Sequence, residues 1–232
     1  MAVRAVDSTN ALARRILAAA HLPPKPFGVT AWEQMEGRGR RGNRWLSPPG
    51  GGVYLTSVLP VPAARVSSLP LVAAAAVCGE LDAWVEPACR IKWPNDLLVD
   101  GSKVGGLLIE SLPAPGERRW ALVGVGVNLL PPPGLPAAGG LRGHGVGAEE
   151  GAALTARLAG ALVSALSEAG EPAAAAAAFR RWSVHREGER LSYRDASGAV
   201  HSGRFRGLDE SGFLRLESDG EERRLTAAEL VE

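Results

Sequence analysis

A chain of 232 residues, 46% of them apolar and with a net charge of +1, can bury a full core as one large domain or as a large domain joined to a small one. A general polyanion binder spreads positive charge over a whole face. Here four arginines are concentrated in GRGRRGNRW (37–45) while the remainder is net negative, which favours a small anionic ligand over nucleic acid.

The two cysteines, Cys78 and Cys89, form no CxxC pair and read as reduced, buried thiols of a cytoplasmic protein. Arg14 and Arg15 interrupt the apolar positions near the N-terminus, so no signal peptide is expected there. No run of about 18 apolar residues appears, so no membrane span is expected.

Residues 7–20 predict a helix, capped by Asp7, Ser8, Thr9 or Asn10, striped by Leu12, Ile16 and Ala19, and ended by the proline-rich HLPPKP. GVTAWEQ (28–34) reads as a strand entering the arginine loop, SPPGGG (47–52) as a turn, and VYLTSVL (53–59) as a second strand. An apolar helix is expected from Pro70 to Trp84, capped by Ser67 or Ser68, with the proline in its first turn. CRIKW (89–93) predicts a short strand, and 97–111 a hairpin turned by Asp100-Gly101. Simple alternation along that hairpin sets Lys103 on the face of Gly105, Leu107 and Ile109. An apolar strand follows at 120–130, then a long loop at 131–147 and helices at 149–169 and 172–183. From 185 onward, four or five short alternating segments separated by Asp/Ser/Gly turns predict a small β-barrel. The expected organisation is a larger mixed domain over 1–184 and a small one over 185–232.

Four groups could carry chemistry. Ser8-Thr9-Asn10 is either a helix cap or a set of ligand contacts. The arginine loop is either a solvated basic turn or an anion site, in which glycines bring backbone N–H groups close and guanidinium forks grip phosphate or carboxylate. Lys92-Trp93-Pro94-Asn95-Asp96 is either an Asx turn or a strand end whose carboxylate holds Mg²⁺ beside a phosphate. Lys103, before Gly105-Gly106, either snorkels to solvent or reaches a partner. Gly124-Val125-Gly126-Val127-Asn128 adds two strand glycines, a sign of close packing or close ligand approach. No P-loop, dinucleotide fingerprint or Ser/His/Asp triad is present, and none of the four histidines sits in a catalytic context.

Taken in order, STN, Q(x2)GRGRRG(x2)W, KWPND, K(x)GG and GVGVN resemble the biotin–protein ligases, over about residues 5–151, and the tail resembles their small SH3-like domain. The resemblance implies an α+β fold of the class II aminoacyl-tRNA synthetase/biotin ligase type, a mixed sheet flanked by helices with a C-terminal SH3-like barrel. It implies ATP and biotin as substrates with Mg²⁺, formation of biotinyl-5′-AMP, and transfer of biotin to a lysine of a biotin carboxyl carrier protein. Lys103 and Arg40 match the residues at the chemistry. Ser8, Thr9, Asn10, Gln34, Gly37, Arg38, Gly39, Trp45, Lys103, Gly105 and Gly106 match the biotin site. Arg38, Arg40, Arg41, Trp45, Lys92, Asn95 and Asn128 match the nucleotide side, and Asp96 a Mg²⁺ ligand.

Two departures stand out. STN begins at Ser8, leaving no room before it for the helix-turn-helix domain of bifunctional relatives. HGVGAEEG (144–151) replaces a usual segment near the adenine, bringing His144 close to a stacking position. A lipoate or octanoate ligase or transferase, a nucleic-acid-binding module and a catalytically silent biotin binder are the rival readings. Exposed sheet edges leave a homodimer open.

Overall fold

The computed structural model describes residues 1–19, 25–168, 172–195, 197–209, 211–218, 220–225 and 229–231. Most of the proline-rich stop expected after the first helix therefore lies outside the described residues.

Seven strands form one mixed sheet in the order β1-β2-β3-β7-β6-β5-β4. They are β1 (Ala2–Val6), β2 (Phe27–Gln34), β3 (Gly52–Pro62), β4 (Arg90–Lys92), β5 (Asp96–Val99), β6 (Ser102–Pro113) and β7 (Arg118–Asn128). Only β1 and β2 pair in parallel. Sequence patterning foresaw every strand but β1, whose AVRAV is short and mostly exposed.

Alternation along β3 and β7 fixes the layers. Val53, Leu55, Leu59 and Val61 of β3, with Ala121, Val123, Val125 and Val127 of β7, face a layer made by α2 (Leu69–Asp82), α3 (Gly151–Glu168) and α4 (Pro172–Trp182). The opposite face receives α1 (Thr9–Ala19), whose Ala13 packs on Val29, Val58, Trp120 and Leu122. The segment Ala63–Asp82 is long and apolar enough in mean composition to cross a membrane, although polar residues interrupt it. Half of it is buried inside the molecule, and Leu69, Leu71, Val77, Cys78 and Leu81 sit in the core, so its composition answers to packing.

The tail forms a second sheet in the order β11-β10-β9-β8-β12, from β8 (Arg190–Arg194), β9 (Val200–Leu208), β10 (Leu214–Ser218), β11 (Glu221–Leu225) and β12 (Glu229–Val231). Its pairs are antiparallel. The expected closed barrel is not seen among the described residues, where β11 and β12 are the two free edges. Leu191, Tyr193, Phe205, Leu208, Leu214 and Leu216 join the same apolar cluster as the helix layer. The indole N–H of Trp93 donates to the carbonyl of Gly212 at 3.2 Å, so the tail sheet is locked onto the KWPND segment.

Candidate active site

The even-numbered residues of β7 explain the site. Trp120 and Leu122 pack beneath α1, but the next two on that face are Gly124 and Gly126, and then Asn128. With no side chains there, the strand leaves a trough beyond the end of α1. Its depth is used at once: a Cβ on Gly124 would stand 2.5 Å from Asn10 Oδ1, and one on Gly126 2.5 Å from the Trp45 indole. The valines between them face the helix layer. A GVGVN strand is thus apolar wall on one face and cavity floor on the other.

The resulting cavity, of about 510 Å³, is lined by Ser8, Thr9, Asn10, Gln34, Arg38, Gly39, Arg40, Arg41, Trp45, Lys92, Asn95, Asp96, Lys103, Gly106 and Asn128 among others. All four sequence groups and GVGVN therefore meet in one place. Gly37 and Gly105 do not line it. Each lets main chain approach main chain: a Cβ on Gly37 would meet the Trp45 carbonyl at 2.4 Å, and one on Gly105 the Gly126 carbonyl at 2.9 Å.

One end of the cavity is polar and buried. Ser8, Thr9 and Asn10 are almost fully buried at the start of α1. The Thr9 amide donates to Gln34 Oε1 at 2.8 Å, and Gln34 Nε2 donates to Ser47 Oγ at 2.8 Å. Thr56 Oγ1, wholly buried, lies 2.8 Å from Thr9 Oγ1 and 2.6 Å from Asn10 Oδ1. An amide oxygen only accepts, so the Thr56 proton serves Asn10. Asn10 Nδ2 in turn donates to Glu110 Oε2 at 2.9 Å, and Arg14 grips the other oxygen of that carboxylate at 2.6 Å. Thr56, Ser47 and Glu110 do not line the cavity themselves and were not legible as its supports; only their contacts with Asn10 of α1 and Gln34 of β2 reveal them.

The other end is cationic. The arginine loop is a compact hairpin: Gly39 N–H donates to Asn43 O, Asn43 N–H to Arg40 O and Trp45 N–H to Gly37 O. Arg41 and Gly42 both hold positive φ at its tip. This fold turns Arg40 inward, where its Nη1 donates to Asn95 Oδ1 at 3.1 Å. Burial holds the Arg40 guanidinium below its usual pKa, Arg41 adds to that, and Asp96 opposes it. Asn95 Nδ2 is anchored on the Leu107 carbonyl at 2.8 Å.

Lys103 reaches the cavity by a route that alternation missed. Leu97 pairs with Gly105 but Leu98 with Lys103, so Val104 is the extra residue of a β-bulge. The bulge shifts the strand by half a period. Lys103 lies on the cavity face with Gly106, not on the face of Gly105, Leu107 and Ile109. Its ammonium sits 2.6 Å from Asp96 Oδ1 and 5.9 Å from the centroid of the Trp45 ring.

The mouth is closed by the 131–140 stretch, which runs beside Lys103: Ala138 bridges Lys103, and Gly139 N–H donates to its carbonyl at 2.9 Å. Asn128 Nδ2 holds the Gly139 carbonyl at 3.2 Å. Pro132, Leu135, Ala138 and, from the tail, Leu230 supply apolar wall there. His144, expected near this position, instead places Nδ1 3.0 Å from the Glu86 carbonyl and does not line the cavity.

No group of three or more His, Cys, Asp or Glu able to hold a metal occurs among the described residues. Asp96 offers a single carboxylate whose Oδ1 carries the ion pair with Lys103. That suits Mg²⁺, which commonly rests on one or two carboxylates plus substrate phosphates, and does not suit an all-protein metal cage.

Residues 3–128 match the model of the biotin/lipoate A/B protein ligase family. The chain is 36% identical over 249 aligned residues to the biotin–[acetyl-CoA-carboxylase] ligase of Paracoccus denitrificans, covering 97% of this chain and 96% of that protein. It is 35% identical over 99 residues to the bifunctional ligase/repressor BirA of Escherichia coli, of which it spans 30%. Its fold matches a biotin protein ligase of Aquifex aeolicus, determined with biotin and ATP, with a TM-score of 0.73 at 22% identity over 100% of this chain and 97% of that one.

Proposed function

Because the chain belongs to the biotin/lipoate A/B protein ligase family, we propose that it activates biotin with ATP to biotinyl-5′-AMP and passes biotin to a lysine of a carboxylase carrier domain. The observation that supports biotin over lipoate is the polar cavity end lined by Ser8, Thr9, Asn10 and Gln34, which Ser47 and Thr56 back from behind. A ureido ring offers a carbonyl and two N–H groups to those side chains. A dithiolane offers no comparable donor or acceptor, so it forgoes those contacts.

The biotin carboxylate attacks the α-phosphorus of ATP. The new carbon-bound oxygen–phosphorus bond forms as the bond to the β-phosphate oxygen breaks, and pyrophosphate departs with the electron pair. Both partners are anions, so cations must offset their repulsion. Arg38, Arg40, Arg41 and Lys103 line that end of the cavity, with Arg40 and Lys103 closest to the reacting groups, and Lys92, Asn95 and Asn128 order the nucleotide side. Asp96, together with the phosphates, would hold Mg²⁺, which would supply further charge screening. In the second half-reaction the carrier amine attacks the acyl carbon, AMP leaves, and the amine loses a proton. The arginine hairpin and Trp45 keep water from the mixed anhydride meanwhile.

Residues 1–184 would carry this chemistry, and 185–232 would act as an SH3-like domain bracing the KWPND segment. The buried, reduced Cys78 and Cys89 accord with a cytoplasmic setting. The free edge of β1 offers a second copy a pairing surface, which light scattering would reveal.

Pyrophosphate release by purified protein with biotin, lipoate or no acid, and no carrier, tests the reading. A stoichiometric burst with biotin alone supports it. A burst with lipoate moves the chain to the sister activity.

A further inference from the structure

After α4 the chain adds a short parallel rung to β4: Ser183 bridges Ile91, and Val184 N–H donates to the Ile91 carbonyl at 3.0 Å. That rung delivers His185 to the first residue of the KWPND turn proper. The imidazole is 4% exposed, and its Nε2 accepts a hydrogen bond from the Trp93 backbone N–H at 3.1 Å. Phe205 from β9 packs against it in a T-shaped contact, with ring centroids 5.8 Å apart. An amide N–H can only donate, so the neutral ring carries its proton on Nδ1. Nδ1 is buried with no hydrogen-bond partner, and the nearest carboxylate oxygen, of Glu189, is 3.9 Å away.

The turn that begins at Trp93 supplies Asn95, which meets Arg40, and Asp96, which meets Lys103. The polar grip on the Trp93 main chain therefore comes from the tail, through one imidazole lone pair.

We propose that His185 is a positioning residue: as a neutral acceptor it holds the Trp93 amide, and through it Asn95 and Asp96, in register with Arg40 and Lys103, and its protonation releases that hold. A ring protonated on both nitrogens has no lone pair to offer the amide and presents a hydrogen to it instead. The charged groups facing the ring are Glu189 ahead of β8 and Lys92 of β4; Phe205 carries no titratable group. Burial lowers the His185 pKa below its usual 6.5, Glu189 opposes this and Lys92 adds to it. The ring is thus neutral near pH 7 and gains its proton only on the acid side. Because the unfolded chain takes up that proton first, the latch contributes fully above about pH 6.5 and fades as pH falls.

The inference rests on the adenylation reading for its kinetic readout, so a second readout is independent of it. Biotin-dependent pyrophosphate release is followed from about pH 5 to pH 8 for the wild-type chain, His185→Gln and His185→Ala. A glutamine carbonyl accepts without titrating. His185→Gln should stay within about twofold of wild type at the alkaline end and hold kcat where wild type declines, while His185→Ala should lose about tenfold in kcat at every pH with little change in KM for biotin. Superimposable acid limbs for wild type and His185→Gln overturn the proposal.

Hydrogen exchange at the Trp93 amide needs no substrate. Its protection should fall between about pH 8 and pH 5 beyond the intrinsic pH dependence in wild type and not in His185→Gln. If wild type releases no pyrophosphate with biotin, the functional reading fails and exchange alone decides: equal protection changes in both proteins overturn the latch.

Discussion

The ammonium of Lys103 lies 2.6 Å from the carboxylate of Asp96, across the β5–β6 pair and on the cavity face. In this resting pairing each charge offsets the other until a phosphate arrives. Replacing Lys103 with methionine leaves Asp96 uncompensated beside an anion. Pyrophosphate release should fall by about 10²–10³-fold, with biotin affinity much less affected. Isothermal titration against biotin and a pyrophosphate assay separate the two effects. Equal losses in both would reassign Lys103 to binding alone.

Arg40 reaches Asn95 from a surface hairpin that contributes no buried apolar side chain. Arg40→Gly should leave the melting temperature within about 2 °C of wild type. It should release biotinyl-AMP into solution at least about tenfold faster, the size expected for one lost charge-assisted contact. Arg40→Lys should not restore retention, since a point charge does not reproduce the guanidinium fork. A variant that retains the adenylate as well as wild type does excludes this role.

Gly126→Ala puts a methyl group where the Trp45 indole lies. The strand conformation itself tolerates alanine, so the protein should fold, with the indole displaced into the cavity. Tryptophan fluorescence should lose its response to biotin plus ATP, and KM for ATP should rise by about tenfold or more.

Thr56→Val keeps the shape but removes the hydroxyl that serves Asn10 Oδ1 in a site closed to water. Leaving that oxygen unpaired costs about 1–3 kcal/mol. Biotin affinity should fall by about tenfold as Asn10 is freed to turn. Calorimetry on the variant checks this, and unchanged affinity would place Thr56 outside the recognition network.

Arg15 grips Asp7 through two hydrogen bonds, of 2.7 and 2.8 Å, and holds its pKa at about 2. A depressed carboxylate stabilises the fold above its unfolded pKa of about 4, and the effect is lost as pH falls toward 2. Arg15 is exposed and Asp7 partly so, so the contribution is at most about 1 kcal/mol. Asp7→Asn should flatten the decline in melting temperature between about pH 4 and pH 2 while changing little at pH 7.

Periodicity made most elements visible, and the charged or glycine-rich punctuation marked most of the cavity wall, though not the apolar part at Leu108, Pro132, Leu135, Ala138 and Leu230. What escaped was set by pairing across strands. Thr56 and Glu110 look like ordinary alternating strand residues until β3 and β6 bring them against Asn10. The face of Lys103 was misjudged because an extra residue at Val104 is invisible to a count of two. Asn128 was expected at the nucleotide, and it lines the cavity, but its amide also fastens the 131–140 stretch. His144 was misplaced because its loop follows the Glu86 carbonyl, a partner 58 residues away.

The trough on β7 has a directional consequence. Where main chain is the wall, there is nothing left to trim. Substitution can raise this floor but never lower it, so a bulkier acid cannot be admitted from below. Any relative or engineered form that accepts a larger substrate must find the room beside this strand, at Leu108 on β6, or overhead, at Trp45 or the arginine hairpin. Drift at Gly124 or Gly126 runs one way, toward a shallower cavity.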